Sequence, residues 1–127
     1  MFNIDYIMDL LDWNNTIEKQ EYGIRLAQSV ENINVFLQPC SNKHNKNVWN
    51  NCAIILSKRT NEELSPYIIE LMKWLQDLNW PGALCILDRL KKMRDNPMFG
   101  DSYDICIRCA KALEDKIWEN NLKMIEQ

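Results

Sequence analysis

Apolar residues near the start of the chain recur at intervals of three and four. Ile4, Ile7, Leu10 and Leu11 share one stripe, which predicts a helix over about residues 4–13. Asn14 and Asn15 end it. Asn15 followed by Glu18 has the spacing of a capping box, in which the first side chain accepts a free first-turn N–H and the second reaches back. A second helix then runs to about residue 32, with Tyr22, Leu26, Val30 and Ile33 on its inward stripe, and Gly23 and Ala27 beside that stripe let a neighbouring helix approach closely. Val35-Phe36-Leu37 reads as a buried turn or a short helical end, and residues 38–47 (QPCSNKHNKN) form the one long loop.

The helical rhythm resumes after this loop. A third helix over about 47–58 buries Val48 or Trp49, then Cys52, Ala53, Ile55 and Leu56. Thr60 or Asn61 caps the next segment, and Ser65-Pro66 supplies a cap with a first-turn proline. The fourth helix reaches about residue 78 with Tyr67, Leu71, Trp74, Leu75 and Leu78 inward. Asn79-Trp80-Pro81 restarts the chain as a fifth helix, since proline is tolerated only near a helix start. Its core stripe is Ala83, Ile86, Leu87, Leu90 and Met93. Asp95-Asn96-Pro97 stops it, and Asp101 or Ser102 caps a sixth helix carrying Ile105, Cys106, Cys109, Ala110, Leu113 and Ile117; this helix either continues to the C-terminus or breaks at Asn120-Asn121. Period-two alternation is found nowhere over more than four residues, so the expected class is all-α.

Residues 6–13 read YIMDLLDW and residues 67–74 read YIIELMKW. Tyrosine, isoleucine, an acid, leucine and tryptophan recur in order, which predicts two matching three-helix units, about 1–59 and 60–127, stacked in one domain with Trp13 and Trp74 as equivalent packing anchors. Stacked helical units usually make binding surfaces rather than catalytic clefts.

Composition narrows the function classes. At 127 residues and 46% hydrophobic content, the chain can bury a core without disulfide or metal staples. Fifteen basic against eighteen acidic side chains give a formal charge of −3, which argues against a dedicated phosphate-backbone binder. Five cysteines without an export signal or a membrane-length apolar run point to a reduced, cytoplasmic protein. The Asn14-Asn15-Thr16 sequon has no consequence in that setting.

Cys106-x-x-Cys109 is not preceded by a strand and extends an apolar stripe, so both cysteines are expected to be buried, reduced and metal-free. The lone histidine, His44, lies in the long loop far from them. There is no glycine-rich phosphate loop, nucleophile elbow or HExxH, so no catalytic residue, cofactor or metal ligand is assigned. Arg89, Lys91, Lys92 and Arg94 form the densest basic cluster, but in the last turns of a helix they complement its dipole, and nucleic acid is disfavoured as a partner. Trp80 sits at a helix corner between Asn79 and Pro81. It either wedges the corner shut, with Asn79 capping the fifth helix and Asp77 at the rim, or stands out as a protein-binding anchor. Trp80, Asp77 and Asn79 are therefore the candidate partner-binding residues, joined by an acidic face drawn from Asp9, Asp12, Glu18, Glu21 and Glu70.

The segments EYGIRLAQ (21–28), VFLQPC (35–40), NKNVWNNCAIILSKRTNEELSPYI (45–68) and ELMKWLQDLNWPGALCILDRLKKM (70–93) resemble a family of small, largely uncharacterised bacterial proteins with HEAT-like helical folds. The match is strongest in WLQDLNWPGA. Proteins of this type are similar to immunity proteins encoded beside polymorphic toxins. The resemblance implies a HEAT-like fold and a non-catalytic protein-binding role, with a basic toxin as partner and no membrane involvement. The alternative is an enzyme or nucleic-acid-processing protein on a HEAT-like scaffold.

Overall fold

The computed structural model describes residues 3–96, and every regular element among them is helical. In chain order these are α1 (Ile4–Leu11), α2 (Ile17–Ala27), a 3-10 turn (Ile33–Phe36), α3 (Lys46–Ser57), α4 (Asn61–Leu64), α5 (Ile68–Lys73) and α6 (Ala83–Arg94). A 3-10 turn at Ser65–Tyr67 joins α4 to α5, and another at Trp74–Gln76 follows α5. Pro66 sits in the first of these turns, where its missing N–H interrupts the helical hydrogen-bond ladder. The sixth helix expected from the sequence, with Cys106 and Cys109, lies outside the described residues.

Helix α3 is central: seven of its twelve residues are buried, so it packs on more than one side. Its inward set, Val48, Trp49, Cys52, Ala53, Ile55 and Leu56, is the one its periodicity predicts. The core also takes in Ile7, Met8 and Leu11 from α1, Phe36 from the first 3-10 turn, Leu71, Trp74 and Leu75 from α5 and the turn after it, and Ala83, Ile86, Leu90 and Met93 from α6.

Helix α2 presents a different face from the one expected. Gly23 and Ala27 are buried, Leu26 and Val30 are partly buried, and Tyr22 is exposed. Gly23 decides the rotation: a Cβ there would lie 2.8 Å from Leu10 Cβ and 3.0 Å from Leu11 Cδ2, so glycine allows α1 and α2 to meet backbone to backbone. A polar seam then fixes this pair on α3. Buried Asn51 donates to Leu11 O (2.7 Å) and to Gln20 Oε1 (2.9 Å), and Gln20 donates on to Asn15 O (2.7 Å). The carbonyls that a helix end leaves unpaired are thereby satisfied inside the protein.

Two arginines do the same at the other end of the bundle. Arg59, just past α3, donates to Ala27 O (3.0 Å) and Val30 O at the end of α2 and pairs with Glu63 (2.8 Å). Arg89 of α6 donates to Ser57 O (3.1 Å) and Arg59 O (2.8 Å) at the end of α3. Arg89 spans its two carbonyls with Nε and Nη2, while Arg59 gives Nη2 to both carbonyls and Nη1 to Glu63, a planar set of donors that a lysine does not reproduce. Burial also pushes the Arg89 pKa down.

Several local expectations shift by a residue or two. The α2 N-cap is Thr16, accepting from Lys19 N (3.2 Å); Asn15 instead turns back to donate to Asp9 O and Leu10 O at the end of α1. Thr60 is the α4 cap, and with Glu63 it forms a complete capping box. Trp13 and Trp74 are not equivalent. Trp74 is fully buried, whereas Trp13 is 51% exposed. The reason is that α1 stops at Leu11: Asp12 turns out of the helix, Asn14 N donates to its side chain (2.9 Å), and Trp13 N pairs with Asn47 O (3.0 Å). Tyr67-to-Trp74 stays helical, so its tryptophan keeps the inward face.

Candidate functional site

Three regions carry the side chains with chemical potential. The first is the corner between α5 and α6. The chain leaves the Trp74–Gln76 turn with Asp77 extended, and Asp77 Oδ1 accepts from Asn79 N (2.8 Å). Trp80 N donates to Asp77 O (3.0 Å), and Ala83 N to Trp80 O (3.1 Å). The helix begins later than expected, at Ala83, and its N-cap is Gly82 in the left-handed region (φ 85°); Asn79 caps nothing. Asp77, which holds the Asx turn, organises the corner.

Trp49 is the hub of this corner. Its ring meets Trp74 edge-on (centroids 6.1 Å) and Trp80 edge-on (5.6 Å, interplanar angle 80°), geometries favoured by the aromatic quadrupole. The indole N–H of Trp49 donates to Pro39 O and that of Trp74 to Pro81 O, both at 2.8 Å. Trp80 is thus a half-buried wedge, while Asp77 and Asn79 are exposed on the rim. The structure brings the three candidate residues together at one corner, with the tryptophan facing inward onto Trp49.

The second region was not visible in the sequence. His44, in the loop before α3, is only 7% exposed, and its Nε2 lies 2.7 Å from Asp9 Oδ1 of α1. Lys43 Nζ sits 2.9 Å from the same oxygen. Hydrogen bonds from Lys43 first, then His44, hold the Asp9 carboxyl below the ordinary carboxylate range. Next to it, Asn47 Nδ2 donates to Asp12 Oδ2 (3.0 Å), and the Asp12 carboxyl is lowered chiefly by the Asn14 N–H. An Asp–His pair invites a nucleophile as third member. Ser41, however, spends its hydroxyl on the backbone of His44, accepting from its N (3.0 Å) and donating to its O (3.2 Å). The group is a clasp that ties loop 41–47 to α1. Asp9 and Asp12, expected as solvent-facing acids, each engage this loop.

Three of the four residues of the α6 basic cluster are similarly committed. Arg89 points into the bundle, Lys92 pairs with Asp88 (3.2 Å) and Arg94 with Asp95 (2.9 Å). Among the described residues no group of three His, Cys, Asp or Glu side chains converges to hold a metal, and no helix is long and apolar enough to cross a membrane. Cys52 is buried, which pushes its thiol pKa up, and Cys40 is exposed; Cys106 and Cys109 fall outside the described residues.

The third region is the α1–α2 hairpin. Tyr6, Trp13, Ile17 and Tyr22 are all exposed there, Ile17 to 73%, and Arg25 lies over the Tyr22 ring (5.8 Å). At the open end of the hairpin, Ile4, Ile7, Val30 and Val35 floor an apolar groove of about 680 Å³, with Glu31 and Asn32 on its rim.

A family model described as "Domain of unknown function (DUF5071)" matches residues 39–125, which take in the loop, α3 to α6 and the tryptophan corner. No curated protein and no solved structure matches the chain.

Proposed function

The chain belongs to this family of unknown function, and we propose that it is a cytosolic, HEAT-like, non-catalytic protein-binding module, in its finer form an immunity protein that occludes a co-encoded basic toxin. One observation carries the reading. The histidine and the most buried cations are spent on holding helices together: His44 and Lys43 on Asp9, Arg59 and Arg89 on helix-end carbonyls. What is left facing solvent is a helical surface with acids such as Glu18, Glu21, Glu70 and Asp77 and several aromatic groups. Occlusion needs only such a rigid surface, and complementary charge speeds the encounter.

The test is co-expression with each protein encoded beside this one. Rescue from growth arrest, together with a stoichiometric complex on gel filtration, is the expected result. Growth arrest that proceeds identically with and without this chain would remove the immunity reading, and absence of any complex would remove the binding role.

A further inference from the structure

We infer that the docking face is the α1–α2 hairpin, and that it fits a protein partner presenting a cationic surface with apolar side chains among the charges. This rests on the binding-module reading and adds the face and the partner's chemistry to it.

Two independent observations meet on this hairpin. The first is apolar. Of the five large hydrophobic side chains exposed among the described residues, four (Tyr6, Trp13, Ile17 and Tyr22) come from residues 6–22; the other, Leu84, is on α6. Tryptophan and tyrosine are the residues that most often anchor interfaces, because they bury much area with few rotatable bonds. The backbone that presents Trp13 is fixed by the pairing of its N–H with Asn47 O, which lessens the chain ordering that binding must impose. The groove floored by Ile4, Ile7, Val30 and Val35 adds a recess that a partner side chain would fill.

The second observation is charge. Residues 3–27 carry five acids (Asp5, Asp9, Asp12, Glu18, Glu21) against Lys19 and Arg25, a net of −3. Residues 28–96 carry seven acids against nine bases, a net of +2. The acidity of the described chain is therefore concentrated on the helices that expose the aromatics, even though Asp9 is met by Lys43. Such a face repels a second copy of itself and nucleic acid, and it attracts lysine and arginine, whose aliphatic stems also cover apolar surface.

The experiment places a benzophenone photo-crosslinking residue at position 17 or at position 84 of the full chain in its native host. Leu84 is 63% exposed and lies close in sequence to the Asp77–Trp80 corner, so it reports on that alternative surface. We expect an adduct with a basic protein at position 17. Its yield should fall on the order of 30-fold with Trp13→Ala, and it should fall again with Glu18→Lys/Glu21→Lys, and with rising salt. Trp13 is only half buried and Glu18 lies in the first turn of α2, so each variant's melting temperature should fall by only a few degrees. An adduct at position 84 but not at 17 overturns this face and leaves the binding-module reading standing. A self-adduct at twice the chain mass, an acidic captured protein, or indifference to the charge reversal overturns the partner chemistry. No adduct at either position overturns both readings.

Discussion

Gly82→Ala is the substitution for which the structure gives the firmest magnitude. Gly82 has φ 85°, a conformation that costs an L-residue about 1–2 kcal/mol. The added Cβ would also lie 2.6 Å from Ala53 Cβ, 3.0 Å from Trp49 O and 3.3 Å from Trp74 Cζ2. None of these is a flexible side-chain end, so α6 must back away from α3, an overpacking cost of about 1–3 kcal/mol. The sum is about 3 kcal/mol, or roughly 12 °C in melting temperature for a domain of this size. Urea unfolding followed by helical circular dichroism, with an unchanged denaturant slope, reads it directly. Ala53→Gly separates the two parts, because it removes the nearest contact and leaves the backbone strain. In a double-mutant cycle the pair should show about 1–2 kcal/mol of favourable coupling. A loss below about 1 kcal/mol for Gly82→Ala, or strictly additive single effects, would refute the claim that close approach of α3 and α6 depends on this glycine.

Arg59→Met should cost about 2–4 kcal/mol in the same assay, since it strands the Ala27 and Val30 carbonyls and unpairs Glu63, and Arg59→Lys should recover less than half because it lacks the fork. Asp9 has a folded pKa below the ordinary value of 3.8, so its contribution is fully present above that value and is lost as pH falls through the folded pKa. Asp9→Asn should accordingly lower stability at neutral pH and flatten the acid limb below about pH 4, as checked by melts across pH. Cys40 should react quickly with iodoacetamide in the native protein while Cys52 reacts only on unfolding, because burial both shields the Cys52 thiol and disfavours its thiolate; peptide mass mapping distinguishes them.

The helices themselves were legible because their signals are local. The stripe Val48, Cys52, Ala53, Ile55, Leu56 and the cap expected at Thr60 or Asn61 each lie within a few turns, where the 3.6-residue period applies and tertiary contacts need not be known. Helical spacing of apolar residues, with no sustained period-two alternation, set the all-α class. Only the tertiary structure decided which of two similar segments keeps its tryptophan inside. YIMDLLDW and YIIELMKW carry the same pattern, but Asp12 and Asn47, 35 residues apart, end the first helix early and leave Trp13 in solvent. The same holds for the polar groups. His44 meets Asp9, Asn51 meets Leu11 O, and Arg59 meets Ala27 O at separations of 35, 40 and 32 residues. Periodicity tells which face of a helix is apolar. It carries no information about which polar side chain, brought from another helix, will satisfy a buried carbonyl or carboxylate, because that pairing is fixed by packing distances set only when the helices meet.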